Sequence, residues 1–363
     1  MQANWPCLAV LKITFATFTV ALLAASSGAS EKVLHNFGTG ANDGQSSYAG
    51  LIFDGSGNLY GTTVMGGSEN GGTVFRMSPN GSGGWTMTVL HNFGISGTDG
   101  QQPYAGLIFD GAGNLYGTTS AGGSEGYGTV FELTPNGSGG WREVTLHNFG
   151  IAYTDGIYPY AGLVFDASGN LYGTTSKGGT EGHGAVFEIA PNGSGGWTER
   201  VLHNFGVGGS DGIYPYAGLI FDAAGNLYGT TSLGGSEGYG TVFEMTPNGS
   251  GGWTERVLHN FGIGDNAGRY SYAALIFDGA GNLYGTTVGG GSADDGTAFE
   301  MTPNGSGGWT ERVLHNFGIS GSDGQQPYAG LIFDGAGNLY GTTEAGGSEG
   351  DGTAFEMTPN GSG

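Results

Sequence analysis

Six of the seven histidines recur in one setting, LHNFG, as His35, His91, His147, His203, His259 and His315. Imidazoles offered at a fixed interval suggest a metal set. Tyrosine and carboxylates recur as well. Tyr48, Tyr104, Tyr160, Tyr216, Tyr272 and Tyr328 appear once per interval. Asp43, Asp99, Asp155, Asp211 and Asp323 fall nearby, as do Glu69, Glu125, Glu181, Glu237 and Glu349. Aromatic rings beside carboxylates suit sugar binding, with rings stacking on a pyranose and acids accepting its hydroxyls. The same carboxylates suit Ca2+, which takes oxygen ligands.

Two further motifs resemble sites and read better as turns. DGSGN at 54–58 begins like an EF-hand loop, but its twelfth position is Met65 where a bidentate Glu is required. It reads as a hairpin turn in which Asp54 bonds its own backbone. Asn80, Asn136, Asn192, Asn248, Asn304 and Asn360 stand in Asn-Gly-Ser triplets that match a glycosylation acceptor. Asn-Gly is equally what a tight hairpin needs.

The elements that position these residues are set by a tandem repeat. The histidines are spaced 56 residues apart without insertion, giving six copies that begin near 33, 89, 145, 201, 257 and 313. In the second copy, four apolar runs at 105–110, 114–119, 128–135 and 141–149 are separated by Gly-rich or Asn-Gly turns. The runs are rich in Val, Ile, Phe, Tyr and Thr and show no helical period. Four strands per repeat at this length predict a propeller blade. The expected fold is therefore all-β: a six-bladed β-propeller of four-stranded antiparallel blades in one domain, 30–363. Unalternated runs such as Leu107-Ile108-Phe109 suit an inner strand packed on both faces. Thr254-Glu255-Arg256 suits an outer strand whose charges protect its edge. The last copy stops before its fourth strand, while 30–37 supplies a fourth strand without its first three. The expected ring is closed by the N-terminal strand pairing into the last blade.

This architecture sorts the chemistry. Copies of the outermost strand lie tens of ångströms apart, judged from strand and sheet spacings of about 5 and 10 Å. The six histidines therefore cannot share one metal, whose ligands sit about 2 Å away, and they read as structural. The innermost strand, with Ala49, Gly50, Leu51, Ile52 and Phe53, offers no nucleophile, base or ligand. What remains is one loop face, which collects the tyrosines, aspartates and glutamates named above. Copies differ most there, with Gly71, Tyr127, His183, Tyr239, Asp295 and Asp351 at one equivalent position. Copy five replaces the acids with Ala267 and Ala293 and introduces Arg269 and Tyr270.

Composition narrows the function. Of 363 residues 81 are Gly, yet the aromatic share of 12% is too high for a disordered chain. Lys12, an apolar stretch over 13–25 and small residues up to Ser30 predict a signal peptide over 1–29, too short to span a bilayer. Cys7, the single cysteine, would leave with it, so the mature chain has no thiol chemistry. Cleavage removes one Lys and no acid, taking the net charge from −22 to −23. Such a balance excludes nucleic acid, which is bound by neutralising phosphates, and disfavours anionic membranes. A monomer is expected.

The motifs DGxGNLYGTT, GTVFEMTPNG, LHNFG and DGxxPYAGL, at fixed spacing through all six copies, resemble the GloVer (Gloeo/Verruco) tandem repeats of exported bacterial proteins. The resemblance implies a secreted or cell-surface protein and supplies no catalytic residues. Members of that family often carry a C-terminal anchor, which is not evident before Gly363, so secretion or loose surface association is expected. The Asp-x-x-Gly-Asn-Leu-Tyr hairpin also resembles gluconolactonase-type propellers, without their axial metal set. The expected function is a non-catalytic binding or adhesion module for glycan or protein. No cofactor is expected beyond the opening for Ca2+. Two alternatives stand beside it. One is a polysaccharide or lactone hydrolase using carboxylates near Asp265, Arg269, Tyr270, Asp294 and Asp295; the other is a purely structural surface protein.

Overall fold

Each 56-residue copy folds into one antiparallel sheet whose strands lie in chain order. In the third copy these are Val164–Phe165, Leu171–Thr175, Ala185–Pro191 and Trp197–Asn204. The register runs Val164 to Tyr172, Tyr172 to Glu188 and Glu188 to Arg200. The computed structural model describes residues 32–359, so the expected signal segment, Cys7 and Asn360 lie outside the described residues. The chain divides into two units, 1–34 and 35–363. Of the first, 32–34 are described and carry no strand. The described residues contain no helix, hence none long and apolar enough to cross a membrane.

The chain is an all-β, six-bladed propeller, as its repeat predicts. The strands fall close to their expected places. The first strand is shorter, holding Ile108–Phe109 alone in the second blade. Its upstream part pairs sideways: Thr62 Oγ1 donates to the Ala105 carbonyl of the next blade at 3.0 Å. The same bond recurs from Thr118, Thr174, Thr230 and Thr286. A two-stranded ribbon is added beside each sheet, such as Gly156–Ile157 with Lys177–Gly178.

The core lies between blades. Tyr116, Val130 and Phe149 of blade two meet Leu163, Leu171, Phe187 and Ile189 of blade three in one buried cluster. Phe149 meets Phe187 edge-on, with centroids 5.1 Å apart. Burying each such ring contributes about 1.5–3 kcal/mol. The Gly of LYGTT belongs to this packing, because a Cβ on Gly173 would lie 2.5 Å from the Phe187 ring.

The closing strand is not formed among the described residues. The sixth sheet has three strands, Ile332–Phe333, Leu339–Thr343 and Thr353–Met357, and residues 32–37 carry none. His35 and Phe37 instead dock on the first blade, with Phe37 5.1 Å from Phe75. This repeats the Phe149–Phe187 contact, so face packing rather than edge pairing holds the segment. Leu51 is 46% exposed, whereas its equivalent Leu107, with a blade on its outer side, is 3% exposed.

Candidate functional site

After each LHNFG the chain turns, and the acid eight residues beyond the histidine folds back on it. Asp155 Oδ2 accepts from the Gly150 and Ile151 amides at 2.8 and 3.2 Å and lies 3.2 Å from His147 Nε2. His35–Asp43, His91–Asp99, His203–Asp211 and His315–Asp323 repeat the pair at 3.0 to 3.3 Å. Asp43, Asp99 and Asp155 are buried. Burial alone would push the Asp43 carboxyl up, but hydrogen bonds from His35 and the Thr39 amide and the charge of His35 hold it below its ordinary value. The five aspartates expected on the loop face thus point inward as partners of the histidines.

The tyrosines come together. Tyr48, Tyr104, Tyr160, Tyr216, Tyr272 and Tyr328 form one row, with successive centroids 5.6, 5.3, 5.7, 5.3 and 5.3 Å apart. Each of them after Tyr48 precedes the Ala that is tied to the preceding blade through Thr, so the interblade hydrogen bonds set the spacing. Tyr48 and Tyr328 are exposed and the inner four half-buried. Burial and neighbouring phenols raise the Tyr160 and Tyr216 hydroxyls above their ordinary value, so these two are neutral at physiological pH.

Glu69, Glu125, Glu181, Glu237 and Glu349 are exposed. Among the described residues no hydrogen bond joins them to the tyrosine row. Glu181 does share an open cleft of about 470 Å3 with Tyr127, Tyr153, Asp155 and Lys177, between blades two and three. In copy five Arg269 pairs with Asp294 at 3.4 Å and lies 4.7 Å above the Tyr239 ring. Asp295 accepts from Gln325 Nε2 at 3.0 Å. Of the carboxylates nominated for hydrolysis there, Asp294 and Asp295 are therefore engaged.

The opposite face is built of hairpins. Asp54 Oδ1 accepts from the Ser56 and Asn58 amides at 2.8 and 2.9 Å, and Oδ2 from Asn58 Nδ2 and Tyr60 at 2.6 and 3.0 Å. Asn80 Oδ1 accepts from the Ser82 and Gly84 amides at 3.2 and 2.9 Å. Both motifs are turns. A second cleft, of about 490 Å3, lies between blades three and four, lined by Phe165, Tyr172, Phe221 and Trp253. Tyr172 donates toward Asp166 and Glu188, and Glu188 pairs with Arg200 at 2.5 Å.

One set of residues was read from sequence only as edge-protecting charge, on the example of Glu255: Glu143, Glu199, Glu255 and Glu311 of the outer strands. Glu199 and Glu255 do not fringe an open edge, since each comes within 4.8 Å of a His–Asp pair of the preceding blade. The constant interval from histidine to the Glu of the next copy was the available signal.

Blades of this form, joined face to face and carrying a continuous aromatic row, define a tandem-repeat β-propeller. The chain belongs to the Gloeobacter/Verrucomicrobia repeat family, whose model matches residues 18–222 and 194–363. A comparison with curated proteins finds no match. Among solved structures, a glucose dehydrogenase is 13% identical at a TM-score of 0.46, covering 88% of this chain and 99% of that one. The Trypanosoma rangeli sialidase in complex with sialic acid is 9% identical at 0.44, covering 87% and 54%. The extracellular domain of a hybrid two-component system from B. thetaiotaomicron is 12% identical at 0.41, covering 86% of this chain; the chain spans 38% of that protein.

Proposed function

We propose that this protein is an exported, non-catalytic module that binds an extended glycan along the tyrosine row. The observation that carries this reading is the run of five ring-to-ring contacts across six blades. A stack of aromatic rings at a period comparable to one hexose unit offers each sugar an apolar face to pack on, and fixed rings lose little entropy on binding. The raised Tyr160 and Tyr216 hydroxyls carry no charge, and the net charge of −22 favours a neutral or basic glycan over an acidic one. Each Glu of the exposed set follows the ribbon strand that pairs with the segment leading to a tyrosine, as Gly178 pairs with Gly156. These carboxylates supply hydroxyl acceptors at the margin. Six weak equivalent contacts on one ligand add through effective concentration. The apolar stretch 13–25 behind Lys12 supports export.

Titration of neutral and amino-sugar polysaccharides into the chain tests the proposal. Tyr160→Ala and Tyr216→Ala are each expected to weaken binding about three- to tenfold, from about 0.5–1.5 kcal/mol per aromatic contact. Glu181→Ala should weaken it less. Affinity unchanged in both tyrosine variants, or no saturable binding to any such glycan, would remove the row from the function.

A further inference from the structure

At the junctions between blades two and three and between blades three and four, a histidine and its aspartate from one blade lie against the outer-strand Glu of the following blade. We propose that the junctions between blades two and three and between blades three and four each bind a divalent transition-metal ion, held by His147, Asp155 and Glu199 in the first and by His203, Asp211 and Glu255 in the second.

In both sets one donor atom from each residue lies within 4.8 Å of the others. Donors on a tetrahedral zinc, at ligand distances of 2.0–2.2 Å, stand about 3.3 Å apart. His147 Nε2 and Asp155 Oδ2 are already at 3.2 Å, so only the flexible Glu199 side chain has to close in. Asp155 is 5% exposed, and its Oδ1 is buried without a hydrogen-bond partner. Glu199 Oε1 and Glu255 Oε1 are likewise buried and unpartnered. A buried carboxylate oxygen left without a donor is costly, and an ion between the three residues satisfies it. The neighbouring cation does not: Arg200 is turned to Glu188 and to the Gly251 carbonyl of the next blade. One imidazole with two carboxylates is a donor set for zinc and related ions rather than for calcium, which prefers oxygen alone. Such an ion would tie the outer strands of adjacent blades together.

The other junctions act as controls built into the chain. Met87 of blade one stands where the set of His35 and Asp43 would need its Glu. Ala267 stands where the junction between blades four and five would need its Asp, in the set of His259 and Glu311. The junction of His91, Asp99 and Glu143 has all three types, but Glu143 accepts from Thr145 Oγ1 at 3.1 Å.

Calorimetric titration of zinc chloride into the metal-stripped chain, with calcium chloride in parallel, decides the matter. Two tight zinc equivalents are expected, and no saturable calcium signal at these sites. Glu199→Gln and Glu255→Gln should each remove one equivalent and together remove both. Ala267→Asp should add one. The thermal midpoint of each variant without metal separates loss of a ligand from loss of fold. Absence of saturable zinc binding, or a stoichiometry identical in wild type and in the folded Glu199→Gln/Glu255→Gln chain, would overturn the proposal.

Discussion

Phe243→Ala is expected to lower the free energy of unfolding by about 3–5 kcal/mol, the cost of deleting a fully buried ring from a packed core. Phe243 is 0% exposed. It lies in a cluster with Tyr172, Val186, Phe205, Leu219, Leu227 and Met245, in edge contact with Phe205 at 5.1 Å. The loss is expected at the interface of blades three and four, because the core is interblade. The chain contains its own comparison for this point. Leu219 is 2% exposed and Leu51, its equivalent in blade one, 46%. Leu219→Ala should therefore cost about 2–5 kcal/mol, and Leu51→Ala less than about 1 kcal/mol. Denaturant unfolding of the three variants measures this. Equal losses at Leu219 and Leu51 would mean that stability resides within single sheets.

Acid should destabilise the junction between blades four and five, where His259 lies. His259 lacks the aspartate of its equivalents, its Nε2 is buried without a partner, and burial lowers its pKa to about 4 from 6.5. The unfolded chain takes up a proton there at a higher pH than the folded one. Stability from this group is thus full above pH 6.5 and falls as pH drops toward 4. The difference in pKa corresponds to about 3 kcal/mol. Ala267→Asp supplies the missing partner, raises the histidine pKa and flattens the stability curve between pH 6.5 and 4. The check is urea unfolding of wild type and Ala267→Asp across that range, in the presence of a chelator. Parallel curves would show that His259 is solvated in the folded state.

Most of the fold was legible because it is repeated. The interval between histidines, the Asn-Gly turns and the Asp54 hairpin each predicted a local geometry that the structure holds. The candidate site was legible in part. The tyrosine row was expected as one residue per blade, but ring-to-ring contact depends on how closely blades approach, which Thr174 and its equivalents set by bonding to the next blade. Asp155 reads as a loop acid from its Asp-Gly setting. Its inward turn onto His147 depends on amides of the intervening turn that no local propensity marks. Glu199 was hidden for a further reason: its partners lie across a non-covalent interface, whose register strand patterning does not specify. The N-terminal segment showed the limit of symmetry, since Phe37 had an aromatic face to pack on as well as an edge to pair with.

Affinity as a function of glycan length tests most directly whether the row acts as one surface. A neutral oligosaccharide series from monosaccharide to hexasaccharide would be titrated into the wild-type chain. The proposed role predicts that affinity climbs with each added sugar until the six rings are spanned, and that Tyr160→Ala, at an interior position, interrupts the climb. Affinity that is flat with length, or a climb indifferent to Tyr160→Ala, would contradict it and leave the tyrosines as packing between blades.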